Sequence, residues 1–349
     1  MAREKVLVGM SGGVDSAAAA ALLKEEGFEV TGCILRLLPG DEAWEQNLAD
    51  AQAVADTLGI RLLWADYSDL FRRQVVDYFT AAYQAGLTPN PCVRCNASVK
   101  FIALCREADA LGAPYIATGH YAQVDRAPDR ARLLRGEDRR KDQSYFLYPL
   151  PQTVLRRLLL PLGRLTKGAV RSLAVERGLV NAGKRDSQDI CFIPGGDYGA
   201  FLAERGLIFR PGDFRDTGGR VLGRHQGLER YTTGQRRGLG VSGGRPLYVV
   251  GKDLAANAVI LGDEADLYAR TVWAEAFHWV SLPPQSAPLP VTAKTRYSQS
   301  EAEAVLYPEA EDRVRVVFSA PQRAVTPGQS LVVYTGDAVA GGAVICRAR

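Results

Sequence analysis

Lys5-Val6-Leu7-Val8-Gly9-Met10-Ser11-Gly12-Gly13-Val14-Asp15-Ser16 is the stretch whose reading decides the fold. Lys5 to Gly9 is a short apolar strand candidate, and the alanine-rich run Ala17 to Lys24 that follows reads as a helix. Between them lies a glycine turn. Glycines let the backbone approach an anion and supply unusual φ values. Ser11 and Ser16 add hydroxyl donors, and the N–H groups and positive dipole end of the next helix aim at the same spot. The stretch predicts a phosphate cradle; a glycine turn with a serine helix cap is the plainer alternative. It lacks the Lys-Ser/Thr ending of a Walker A loop and the GxGxxG of a dinucleotide site, so both are disfavoured.

Outward from this loop, strands and helices alternate. Glu29 to Leu35, Ile60 to Ala65 and Tyr115 to Thr118 read as strands; Glu42 to Leu58, Leu70 to Ala85 and Val99 to Leu111 read as helices. Such alternation implies a parallel sheet covered on both faces. After about Gly195 the texture changes. Gly, Pro and Asp turns become dense, as in RPGDF and DTGGRVLG, and short β-rich runs follow, Tyr248 to Val250 and Ala258 to Leu261. Val291 to Tyr297, Arg313 to Phe318 and Ser330 to Tyr334 supply further strands. The expected architecture is α/β: a parallel-sheet nucleotide domain over 1–196, a small β-rich domain over 197–268 and a C-terminal β-barrel over 269–349.

The 349 residues suffice for a sizeable core, with 47% hydrophobic and 23% charged. A net charge of +4 is too mild to demand a nucleic-acid partner but permits one if the positive charge clusters. The N-terminal apolar run Val6 to Met10 is too short for a signal peptide or membrane span, so a cytoplasmic location without a membrane is expected. In that compartment a disulfide framework for the six cysteines is disfavoured, and those that cluster call for a catalytic or metal explanation.

Cys92 and Cys95 form a CxxC in the proline-punctuated segment Thr88-Pro89-Asn90-Pro91-Cys92-Val93-Arg94-Cys95-Asn96, which reads as an extended loop. Cys191 lies in a second loop, Asp186 to Phe192. Thiolate is the reactive form, and cations favour it: Arg94 and Lys100 follow the first pair, Lys184 and Arg185 precede Cys191. With no second CxxC and only His120, His225 and His278, a zinc site is disfavoured. A thioredoxin-like role is disfavoured because that CxxC opens a helix. Cys33 and Cys105 read as small core residues, Cys346 as incidental.

SGGVDS, TPNPCVRCN, ATGHYA, KDQSYFL, SQDICF, TTGQRRGLG and TPGQS stand in this order along the whole chain. The phosphate stretch resembles the signature of the PP-loop ATP pyrophosphatases, adenine-nucleotide α-hydrolase-like folds that cleave ATP between its α and β phosphates. The full series resembles the tRNA-specific 2-thiouridylase (MnmA) family. That resemblance implies ATP-dependent 2-thiolation of the wobble uridine in transfer RNAs for lysine, glutamate and glutamine. It implies Mg²⁺ with the ATP, and a sulfur-donor protein, a cysteine desulfurase or a carrier, as partner.

The resemblance also implies residue roles. Gly9, Met10, Ser11, Gly12, Gly13, Val14, Asp15 and Ser16 would hold ATP, with Leu35 beside adenine and Gly119 as a further contact. Asp15 could face the metal, or simply favour the helix dipole. Cys95 would be the nucleophile and Cys191 the persulfide carrier. Asn90, Pro91 and Cys92 would meet the target base. His120, Lys141, Asp142, Gln143, Arg296, Tyr297 and Gln329 would contact the RNA, although His120 alone reads as a hydrogen-bonded core histidine. Many family members carry Asp where Cys92 stands. Cys92, Cys95 and Cys191 could therefore share a [4Fe-4S] cluster with one open iron, and the persulfide and cluster routes both stay open.

Overall fold

The computed structural model describes residues 3–39, 42–184, 190–241, 244–310 and 312–349. Strand β1 (Lys5–Met10) is central in a five-stranded parallel sheet. On one side lie β2 (Glu29–Arg36) and then β3 (Arg61–Asp66); on the other lie Tyr115–Ala117 and then Leu158–Leu159. The chain leaves β1 to build one flank and later returns to its other side. Such a switch point opens a crevice at the carboxyl ends of the strands, where ligands bind in open α/β sheets. The glycine turn after β1 sits there, as the strand–turn–helix reading requires.

Helix α1 (Val14–Glu25) buries Ala17, Ala20 and Leu23 against Val6 and Val8 of β1, in a core that helix α2 (Glu42–Leu58) joins through Ala51 and Val54. Small alanines let α1 lie close to the sheet, and each apolar side chain removed from water adds to the roughly 25 cal/mol per Å² that holds the layers together. Two expected helices are broken. The helix read over Leu70 to Ala85 is an α-turn at Ser68–Phe71, a π-turn at Arg72–Val76 and an α-helix at Asp77–Gln84. Phe101–Ala110 is likewise preceded by a π-turn at Asn96–Lys100. Val75, Val76 and Val99 from these π-turns pack in one cluster with Cys95. π-turns are rare and frequently mark functional sites.

The middle of the chain forms a four-stranded mixed sheet in the order Tyr248–Asp253, Ala258–Gly262, Gly212–Asp216, Val221–His225. The C-terminal part is a closed antiparallel barrel. Its strands run Tyr268–Trp279, Val314–Arg323, Ala302–Pro308, Leu289–Lys294, Ser330–Thr335 and Ala338–Ala348, and the last pairs with the first. The expected α/β, β-rich and barrel succession is therefore present.

One feature crosses the expected division. The hairpin Ala122–Arg126 and Ala131–Arg135 extends the barrel sheet through Leu134 opposite Ala338. Its Leu133 shares a core with Tyr145, Val332, Tyr334 and Val339, so the first and last parts of the chain pack as one body. The strands AQVDR and ARLLR were not read from sequence, because their charged residues mask the alternation.

Candidate active site

The phosphate loop is held from several sides. Gly12 has φ +70°, and a Cβ there would stand 2.7 Å from the Asn47 carbonyl of α2, so only glycine fits. Ser16 Oγ donates to the Gly13 carbonyl at 3.0 Å and accepts the Ser11 N–H at 3.2 Å. The ATP-loop residues Met10, Val14 and Ser16 are buried, and Ser11 is exposed. Gly9 lies against Leu104, where a Cβ would stand 3.0 Å from a methyl carbon. Leu35 pairs with Ala65 near the same carboxyl edge.

Gly119 touches the loop directly: a Cβ there would lie 2.6 Å from the Asp15 carbonyl carbon and 2.8 Å from the Ser16 nitrogen. The two segments implied to bind ATP are thus in backbone contact. Asp15 is committed. Lys167 Nζ donates to both its oxygens, at 2.7 and 2.8 Å, and Tyr121 Oη donates to Oδ1 at 2.8 Å.

The CxxC segment differs from the expected extended loop. Pro91–Cys95 is a short helix with Pro91 in its first turn and Asn90 as N-cap, Oδ1 accepting the Val93 N–H at 3.2 Å. A CxxC in a helix thus does occur here, although the helix follows a loop and not a strand. Asn90→Ala should cost about 1 kcal/mol of stability, whereas Asn90→Asp keeps the cap. Urea unfolding of both variants checks this; equal stabilities would deny Asn90 the capping role. Gln329, from the TPGQS loop of the barrel, donates to the carbonyls of Thr88 at 2.8 Å and Pro89 at 3.4 Å, and Thr88 N–H donates to the Pro327 carbonyl at 3.0 Å. The barrel therefore supports the approach to the CxxC helix.

Cys92, Cys95 and Cys191 come together, each near enough to act electrostatically on another. Cys95 is buried beside Phe192; Cys92 and Cys191 keep exposed flanks. Protein nevertheless crowds all three sulfurs. Burial pushes Cys191 up to about 12, with the neighbouring Cys95 and Cys92 adding to the rise. It raises Cys92 and Cys95 as well, and Lys100 opposes the rise at each thiol. Of the cations named beside these thiols, Lys100 acts in the expected direction, and burial outweighs it. Arg94 is turned away, with Nε on the Gln74 carbonyl at 3.0 Å and its guanidinium 4.9 Å from the Tyr78 ring. Lys184 is bound to Asp50 at 2.7 Å. Arg185 and the segment 186–189 lie outside the described residues.

Among the described residues, no three or more His, Cys, Asp or Glu are arranged to hold a metal ion. Cys33 is buried as expected, Cys105 is partly buried and Cys346 is exposed.

His120 bonds Thr118 Oγ1 through Nδ1 at 2.8 Å, and burial drives its ring down to about 3, so it is neutral. It is a partly exposed, hydrogen-bonded histidine between the phosphate loop and Lys100, whose charge also acts on it. Asp142 serves the fold, and Gln143 has its amide oxygen engaged. Asp142 is buried and accepts from Gly136 N–H at 2.9 Å and Ser144 Oγ at 2.8 Å. Gln143 accepts the Tyr121 N–H at 3.0 Å. Lys141 is partly exposed at the same turn. Arg296, Tyr297 and Gln329 line a cavity of about 270 Å³ with Thr88, Thr232 and Ser298. There Arg296 holds the Thr233 carbonyl at 2.9 Å while its buried Nε has no partner, and Tyr297 leans on Phe146 at 4.4 Å. Lys167, Tyr121 and Asn181 carry no site signal in the sequence, and Lys184 reads there as a neighbour of Cys191; only their nearness in space to the loop reveals them.

Among the described residues, no helix is long and apolar enough to cross a membrane. Family models match the chain in succession: a tRNA methyl transferase HUP domain over residues 4–195, a tRNA methyl transferase PRC-barrel domain over 199–263 and an aminomethyltransferase β-barrel domain over 269–345. The tRNA-specific 2-thiouridylase MnmA of Acetivibrio thermocellus is 45% identical over 99% of this chain and 100% of its own length. That of Desulfitobacterium hafniense is 46% identical over 98% of each. A solved 4-thiouridine synthetase–RNA complex with bound ATP is similar over 58% of this chain and 50% of that one, with a TM-score of 0.40 and 17% identity, too remote for functional weight. With a phosphate loop at the switch point of its sheet, paired cysteines beside it and full-length relatives at this identity, the chain belongs to the MnmA family of tRNA-specific 2-thiouridylases.

Proposed function

We propose that this chain is an ATP-dependent tRNA-uridine 2-sulfurtransferase working in the cytoplasm, and that its target is the wobble uridine of transfer RNAs for lysine, glutamate and glutamine. The observation that carries the reading is the nearness of two chemistries. A phosphate loop touches Gly119, the adjacent His120 feels Lys100, and Lys100 acts on Cys95 and Cys191.

The uridine 2-oxygen is a poor leaving group. It attacks the α-phosphorus of ATP, the bond to the β-phosphate oxygen breaks and pyrophosphate leaves. Free backbone N–H groups of the loop and of the first turn of α1 would face the phosphates and offset their charge. Mg²⁺ would arrive on those phosphates. A persulfide donor protein first transfers sulfur to Cys191. The terminal sulfur of Cys191 then attacks carbon 2, and AMP departs with the former 2-oxygen. Cys95 next attacks the Cys191 sulfur and breaks the S–S bond. This leaves 2-thiouridine and a Cys95–Cys191 disulfide, which an external dithiol reduces with two electrons. The target base must leave its stack to reach the crevice.

The test is pyrophosphate release with and without transfer RNA, read beside 2-thiouridine in digested RNA. Release without RNA, on a small carboxylate, would indicate a ligase instead. The cluster route makes Cys92 as necessary as Cys95 and Cys191, whereas the persulfide route does not. Cys92→Ala is expected to keep most of the parent's rate with a persulfide donor and no bound iron. Loss of thiolation in Cys92→Ala, with iron and sulfide bound by the anaerobically purified parent, would replace the persulfide route by the cluster.

A further inference from the structure

Behind the phosphate loop lies a turn that the thiolation scheme does not use. Asn181 is 5% exposed, and its Nδ2 donates to the Gly12 carbonyl at 3.3 Å. Its Oδ1 is buried without a partner. Lys184, tied to Asn181 by its own N–H to the Asn181 carbonyl at 3.0 Å, donates Nζ to the same Gly12 carbonyl at 3.3 Å. The same ammonium also holds Asn47 Oδ1 at 3.0 Å and Asp50 Oδ2 at 2.7 Å on α2. One peptide oxygen of the phosphate loop therefore receives two side-chain donors, one of them charged, from residues far away in sequence.

A trans peptide is planar, with its C=O and the following N–H pointing in opposite directions. The chain has no cis peptide among its described residues. Fixing the Gly12 oxygen toward the 181–184 turn therefore turns the Gly13 N–H away from that turn. A cation on the oxygen also polarises the peptide and strengthens the N–H as a donor. Glycine 12 itself cannot fix this direction, since glycine is the residue least restricted in φ and ψ.

We propose that Asn181 and Lys184 are positioning residues of the phosphate loop: they clamp the Gly12 carbonyl from behind so that the Gly12–Gly13 peptide presents its N–H to a bound phosphate. This rests on the nucleotide reading of the loop. Asn47 and Asp50 take the other two protons of the Lys184 ammonium and hold it from the α2 side.

The experiment is calorimetric titration of the full-length protein with inorganic pyrophosphate and with ATP, for the parent, Lys184→Met, Asn181→Ala and Asp50→Asn. Transfer RNA affinity and the KM for ATP are measured alongside. Losing a hydrogen bond from a charged donor should weaken pyrophosphate binding about tenfold in Lys184→Met. Transfer RNA affinity should stay at the parent's value, and the KM for ATP should rise. Asn181→Ala should act in the same direction. Asp50→Asn removes the ion pair but keeps an acceptor for Lys184 and leaves its bond to Gly12, and should bind pyrophosphate as well as the parent. A simple structural ion pair predicts the reverse, equal losses in Lys184→Met and Asp50→Asn, and that result would overturn the clamp. So would parental pyrophosphate affinity in Lys184→Met. Should Lys184→Met or Asn181→Ala fail to fold, Asp50→Asn still separates the two accounts. A parent that binds neither pyrophosphate nor ATP would sink the nucleotide reading and the clamp with it.

Discussion

Cys191→Ser is expected to abolish 2-thiouridine formation while leaving ATP affinity unchanged. A serine hydroxyl cannot carry a transferable sulfur, and the loop around Gly12 makes its contacts without Cys191. Pyrophosphate release with transfer RNA should persist for the first turnover, since adenylation precedes sulfur transfer. The crowding of Cys191 adds a pH signature. Its thiol is raised to about 12, so alkylation of Cys191 should climb with pH from 7 to 10, about tenfold per unit, as the small thiolate fraction grows. Peptide mass spectrometry after iodoacetamide treatment resolves this residue from Cys92 and Cys95. Normal thiolation by Cys191→Ser would remove it from the sulfur path, and a rate that levels off near neutral pH would show a thiolate already formed.

The second large effect is expected from a single methyl group. Gly119→Ala would place a Cβ 2.6 Å from the Asp15 carbonyl carbon and 2.8 Å from both the Asp15 oxygen and the Ser16 nitrogen. All three are backbone atoms at the start of α1, and none can rotate aside as a side-chain end would. The first turn of α1 must shift by something near an ångström, and misplacement on that scale costs about 10²-fold in rate. RNA-dependent pyrophosphate release should fall by that order, with transfer RNA binding retained. Parental release by a folded Gly119→Ala enzyme would show that the contact with Asp15 is slack.

The fold was legible where local signals were redundant. The strand, glycine turn and alanine helix from Lys5 to Glu25 agree in hydrophobicity, propensity and turn chemistry, so their boundaries fell within a few residues of the structure. The CxxC helix was legible in principle. Asn90 followed by Pro91 is a cap and first-turn signature, yet two prolines drew the reading toward an extended loop. The π-turns at Arg72–Val76 and Asn96–Lys100 leave no sequence signal, since an inserted residue shifts the hydrophobic period only locally.

Charge was the least legible property. Lys184 and Arg94 stand close to cysteines in the chain, but Asp50, Gln74 and Tyr78 claim them in space. Sequence proximity sets only which residues can meet, while long flexible side chains go wherever the packed elements leave partners. The same holds for Asp142, whose carboxylate satisfies Gly136 and Ser144 instead of facing outward.

The grip of Gln329 on Thr88 and Pro89 has a temporal consequence. Its two ends are separated by 241 and 240 residues, among the longest links in the chain. Domains fold from the N-terminus as synthesis proceeds. The approach to the CxxC helix therefore stays unbraced until Gln329 has been translated. Leu133 and Tyr145 likewise wait for Val332 and Tyr334, so the first part of the chain completes its core only when the barrel strands arrive.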